Sequence, residues 1–115
     1  MIEIIQGSTP TITATIPESI DMELIINMWL FVSQQVSYGK DRLVIDRKLD
    51  TITKDLENRT IQVTLTQEET LALEPEKNAV VQIQMYMEDG TAITSTAIWF
   101  KVLKNYKGEV ITDAD

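Results

Sequence analysis

The sequence predicts an all-β domain, a sandwich of about seven short strands with one short crossover helix. Three observations point there. Apolar and polar residues alternate at period two along much of the chain, most cleanly in 60–66, where Ile61, Val63 and Leu65 interleave with Thr60, Gln62, Thr64 and Thr66. Turn formers recur at short intervals, in Gln6-Gly7-Ser8-Thr9-Pro10, Tyr38-Gly39-Lys40-Asp41, Asn58-Arg59 and Glu88-Asp89-Gly90-Thr91. One stretch, Thr66-Gln67-Glu68-Glu69, carries a helix-start signal between two such strands.

Taken in order, residues 1–6 form a short strand that ends in the Gly/Pro kink, and Pro10 marks a new start. Residues 11–16 then set Ile12, Ala14 and Ile16 against Thr11, Thr13 and Thr15. A first strand split by such a kink is common in immunoglobulin-like sandwiches, where it crosses from one sheet edge to the other. Residues 17–23 are a connection. Residues 24–34 are almost continuously apolar, which predicts a central strand buried on one face and partly on the other. Tyr38-Gly39-Lys40-Asp41 reads as a hairpin turn and Leu43-Val44-Ile45 as a strand, while 50–58 is either an edge strand through Ile52 or a loop.

The capping box at Thr66 starts a helix of about two turns over 67–74, with Leu71 and Leu73 as its anchors. Pro75 stops it. In the next strand, 79–88, Ala79, Val81, Ile83, Met85 and Met87 face one way and Gln82, Gln84, Tyr86 and Glu88 the other. Asp89-Gly90 predicts a type I′ turn. Residues 92–103 return along the same partner, and a change of alternating phase between Ile93 and Ile98 predicts a bulge. The domain covers 1–111, with a polar tail over 112–115.

Composition narrows the functions. A chain of 115 residues makes one domain that folds without staples. It has no cysteine, which excludes a disulfide framework and is compatible with synthesis in a reducing cytosol. No signal peptide and no bilayer-spanning apolar run is evident, the nearest, 24–32, being interrupted by Asn27. A net charge of −8 argues against nucleic acid or an anionic membrane as the main partner, so another protein is expected.

With neither histidine nor cysteine, triads, thiol chemistry and ordinary zinc sites have no residues to build on. No enzyme, cofactor or metal is expected. Glu68, Glu69, Glu74 and Glu76 read as helix capping and a solvated face rather than acid–base pairs. Asp41, Asp46, Asp50 and Asp55, interleaved with Arg42, Arg47, Lys48 and Lys54, read as an exposed edge laced with salt bridges. The four glycines are dispersed and form no phosphate loop. Trp29 and Trp99 sit in strong strand patterns and are expected in the core, as are Met85 and Met87.

Five stretches occur in a suggestive order: Gln6-Gly7-Ser8-Thr9-Pro10-Thr11, Leu65-Thr66-Gln67-Glu68-Glu69-Thr70, Val81-Gln82-Ile83-Gln84, Asp89-Gly90-Thr91, and Val102 followed by Gly108-Glu109-Val110-Ile111. Together they resemble the small tail-associated structural proteins of phages and prophages of Gram-positive bacteria, and are similar to the N-terminal domain of upper baseplate proteins. The similarity runs from Ile2 to Ile111 apart from 33–58. It implies an immunoglobulin-like assembly module of a virion, made in the bacterial host cytoplasm, that contacts other tail or baseplate proteins or forms a ring of its own copies.

The termini and one hairpin tip fall outside the strongest core pattern and are the expected contacts: Ile2, Ile4, Gln6 and Thr9, then Tyr106, Val110 and Ile111, and the turn Asp89, Gly90 and Thr91. The competing expectation is a carbohydrate-binding sandwich that uses Trp29, Trp99 or Tyr38 as stacking platforms and aspartates to hold calcium.

Overall fold

The computed structural model describes residues 2–35, 41–49, 53–95 and 97–113. It is an all-β sandwich of two sheets. The strands are β1 (Ile2–Ile5), β2 (Thr11–Thr15), β3 (Ile25–Gln35), β4 (Asp41–Lys48), β5 (Thr53–Asp55), β6 (Thr60–Thr64), β7 (Asn78–Met87), β8 (Ala92–Thr94) and β9 (Ile98–Leu103). One helix, α1 (Gln67–Leu71), and a 3-10 turn at Met22–Leu24 complete the described elements. The large sheet has the order β1-β9-β7-β3-β4, with β8 also on β7, and the small sheet has the order β2-β6-β5.

The expected elements are recognisable, and most of the sequence logic survives. The kink at 6–10 sends the chain from the large sheet to the small one, so β1 pairs with β9 in parallel while β2 pairs with β6. The near-continuous apolar run becomes β3, the central strand, flanked by β7 and β4. Its inward residues Met28, Leu30 and Val32 are fully buried against Val81, Ile83 and Met85 of β7 and Ile61, Val63 and Leu65 of the facing sheet. The expected bulge is present: Gln84 lies opposite Thr94 but Val81 lies opposite Ile98, so one residue is inserted between the two registers. That insertion divides the expected return strand into β8 and β9.

The helix is shorter than its sequence predicts. Both bonds of the capping box form, with Thr66 Oγ1 accepting from the Glu69 N–H and Glu69 accepting from the Thr66 N–H. The helix nonetheless ends at Leu71, and its buried residue is Thr70, not Leu71, while Leu73 is buried beyond the helix end. The cause lies on β3. Gln34, 1 % exposed, accepts from the Glu74 N–H at 2.8 Å and donates to the Glu74 carbonyl at 2.9 Å. This side chain takes the Glu74 N–H, which a helix through 74 would have donated to the Thr70 carbonyl, and with the Glu74 carbonyl leaves its own amide satisfied, as a buried amide must be.

The hairpin after β7 is also different. Gly90 N–H donates to the Met87 carbonyl and Met87 N–H to the Thr91 carbonyl, and Gly90 alone of the turn residues has a positive φ, +92°. A type I′ turn needs two such residues. The arrangement is instead a turn with a single left-handed residue closing it, which Asp89 need not strain to join.

The aspartate-rich edge shows no local salt bridge between its own charges among the described residues, and the Asp41 and Asp50 side chains lie outside the description. Among the described residues, Arg47 pairs with Glu69 of α1 and Lys54 donates to the carbonyls of Met22 and Ile25, while Asp55 caps Asn58. Tyr38 and its expected turn, with Asp50 and Ile52, lie outside the described residues.

Candidate interaction surfaces

The expected contact residues divide between the two ends of β7, roughly 30 Å apart for a ten-residue strand. At its start, the N-terminal kink, α1 and the segment after β9 are tied together. Gln6 donates to the Leu73 carbonyl and accepts from the Asn105 N–H, and Asn105 Nδ2 donates back to the Gln6 carbonyl. Thr70 Oγ1 accepts from the Gly7 N–H at 2.9 Å and donates to the Ser8 carbonyl at 2.9 Å. Gly7 needs its φ of +80° here, and a Cβ on it would meet Asn105 Nδ2 at 2.8 Å. Gln67 then holds Ile111 by both backbone groups, at 2.8 and 2.9 Å.

This junction assigns roles the sequence left open. Gln6 is a structural clamp, and Ile4, 4 % exposed, is a core residue paired beside Val102, so neither is available as a surface contact. On β1 the even residues share the inward face, but Ile2 stays exposed while Ile4 is covered, a difference that alternation does not carry. Ile2, Thr9, Tyr106, Val110 and Ile111 are exposed. At the far end Asp89, Gly90 and Thr91 are exposed too, with Asp89 Oδ1 accepting from the Thr91 N–H. Hydrogen bonds from Thr91 hold the Asp89 carboxyl below the usual aspartate range.

The feature that sequence reasoning missed lies between the ends, on the outer face of the large sheet. Since Ala79, Val81, Ile83, Met85 and Met87 point inward, Val80, Gln82, Gln84 and Tyr86 point outward. The register sets Trp99 beside Val80, Phe31 beside Gln82, Trp29 beside Gln84, and Asn27 beside Tyr86. Four aromatic residues therefore share one open face. Trp99 is 55 % exposed and Tyr86 40 %, while Trp29 and Phe31 are half-buried and Lys48 Nζ stands 5.6 Å from the Trp29 ring centroid. The tryptophans are thus not core residues. A signal existed: β3 is apolar at odd and even positions alike, so its outer face had to carry Trp29 and Phe31 wherever Met28 and Leu30 faced in.

Among the described residues no three acidic side chains converge as a metal site would require, and no helix is long and apolar enough to cross a membrane. Compared with models of protein families the chain matches none, and no curated protein matches it either.

Proposed function

We propose that this chain is a non-enzymatic structural or assembly protein that works by protein–protein contact, as a component of a phage tail or baseplate. The observation that carries the contact reading is the aromatic outer face of the large sheet. A sandwich with one solvated face ordinarily alternates apolar-in and polar-out, whereas here Trp99, Phe31, Trp29, Tyr86 and Val80 lie on the outward side. Contiguous exposed apolar surface marks an interaction site, and Trp and Tyr are the residues that dominate such sites energetically. The resemblance to tail-associated proteins supplies the setting, with other tail or baseplate proteins, or further copies of the chain, as partners.

The test is quantitative mass spectrometry of gradient-purified particles induced from a lysogen that carries the gene. A fixed ratio of this chain to the major tail protein is expected. Its absence from intact particles, with the protein abundant in the lysate, would overturn the virion reading.

The exposure of Trp99 gives the carbohydrate reading a specific observation of its own, since an open aromatic ring suits a sugar face. Titration of tryptophan emission with a panel of cell-wall oligosaccharides separates the two. A saturable shift that disappears in Trp99→Ala favours the sugar, and a flat response to every glycan removes it.

A further inference from the structure

The side of the sandwich where β1 and β2 lie is open. Between them runs a cleft of about 290 Å³ lined by Ile2, Ile4, Pro10, Ile12, Ile98 and Phe100, and the one charged residue on its wall is Glu3. β1 is the terminal strand of the large sheet, and Ile2 and Ile5 are 61 % and 51 % exposed. Natural sheets blunt such edges with charge, proline or a cover. This one is apolar and short of cover.

Its hydrogen-bonding groups can be assigned. The Gln6 N–H donates to the Leu103 carbonyl, and in a parallel ladder alternate residues serve the same neighbour, so Ile2, Ile4 and Gln6 face β9. Glu3 and Ile5 face away. The Ile5 carbonyl is taken by Ser8, whose N–H and Oγ both donate to it. The Glu3 N–H, the Glu3 carbonyl and the Ile5 N–H point to the free side and have no partner among the described residues.

We propose that this edge accepts an extended segment of a basic partner protein as an added strand, with a Lys or Arg opposite Glu3 and an apolar residue on each side of it. The inference rests on the assembly reading above and names how a partner is held. An antiparallel strand that exchanges both bonds with Glu3 places the facing side chain beside the Glu3 carboxylate on the outer face. Its two neighbours then point into the cleft, over Ile2, Ile4 and Ile12. A second copy of the chain is the wrong occupant. Two-fold pairing through the Glu3 groups would set the two carboxylates directly opposite each other between molecules that each carry −8, along an edge of only four residues.

The test uses the full chain labelled with 15N and a capped heptapeptide, Ser-Thr-Val-Lys-Val-Thr-Ser, with a second peptide in which Glu replaces the central Lys. Saturable shifts are expected in the amide resonances of Glu3, Ile5 and Ile12, with the Glu peptide bound about fivefold more weakly. Glu3→Pro removes the outward N–H while leaving the β9 bonds in place, an edge position where proline is tolerated, and binding should be lost in it. An unchanged melting temperature and far-UV spectrum of that variant show that it folds, and Ile2→Lys, at a position 61 % exposed on the cleft wall, sets a charge under the partner's apolar residue and gives the same test without a backbone change. No shifts with the Lys peptide, shifts confined to the aromatic face, or equal binding to the variants would overturn the proposal. If the chain still keeps a fixed ratio in particles, such a failure moves the contact elsewhere and leaves the assembly reading standing.

Discussion

The two edges of the large sheet end the same sheet in opposite ways. At β4 the two layers are bridged by charge: Arg47 donates to both Glu69 carboxylate oxygens, at 2.9 and 3.0 Å, and to the Thr64 carbonyl at 3.0 Å, fastening the edge to α1 and to the small sheet. Arg42, Asp46 and Lys48 add charge along the same strand. At β1 no charged residue among those described spans the two layers, and an apolar cleft remains. Charge on an edge discourages pairing with a foreign strand, so the contrast separates an edge built to stay solitary from one that is available. Both edges are anchored inside by one isoleucine, Ile4 on β1 and Ile45 on β4, 4 % and 5 % exposed.

That shared anchor gives the largest expected effect. Ile4→Ala and Ile45→Ala should each cost about 2–4 kcal/mol, read as a fall in the denaturant midpoint at unchanged slope. Ile2→Ala and Ile5→Ala, on the exposed positions of β1, should cost far less. Ile2 and Ile4 share the inward face, so equal losses from the two would mean that the cleft over Ile2 is covered, and the contrast between the edges would fail.

Next comes the junction that sets β1 apart from β2. Thr70→Val keeps the shape and removes the hydroxyl that serves the Gly7 N–H and the Ser8 carbonyl, which should cost roughly 1–3 kcal/mol because both groups are partly buried. Faster hydrogen exchange at Gly7 should accompany it, and β4 amides should be unmoved. Third, Arg47→Ala should cost about 0.5–1 kcal/mol, a modest figure because the guanidinium is 35 % exposed. Glu69→Ala should cost more, since it removes the helix cap with the ion pair.

How much of this was legible in the sequence differs along the same line. Strands with a wet and a dry face, such as 60–66 and 79–88, announce their register by alternation, and their inward residues were read correctly. β1 sets Ile2 and Ile4 on one face, so alternation does not tell the covered residue from the exposed one, while β3 is apolar on both faces, which hid Trp29, and the apolar run Ile98-Trp99-Phe100 did the same for Trp99 in β9. The clamp of Gln34 on Glu74 joins residues forty apart, and Arg47 reaches Glu69 across twenty-two. Nothing local in either stretch encodes such a pairing. The edges therefore became distinct only once the register put Arg47 beside α1 and left Glu3 with nothing opposite.

The smallest expected effect is on acid stability, and it falls outside both edges. Hydrogen bonds from Asn58 lower the Asp55 carboxyl, a hydrogen bond and charge from Lys77 lower Glu74, and those from Thr91 lower Asp89. All three sit at strand ends or turns. A carboxyl whose pKa is lower in the folded chain than in the unfolded one stabilises the fold above the unfolded value and loses that contribution as the pH falls through the folded one. Stability should therefore be flat from neutral down to about pH 5 and decline below about pH 4. Asp55→Asn and Asp89→Asn should each make the decline shallower, by small amounts because the groups are solvated, and Arg47→Ala should leave the contribution of these turns intact. A decline steepened by either Asn variant would reverse the assigned sign and show that the turn carboxylates are held against their charge rather than with it.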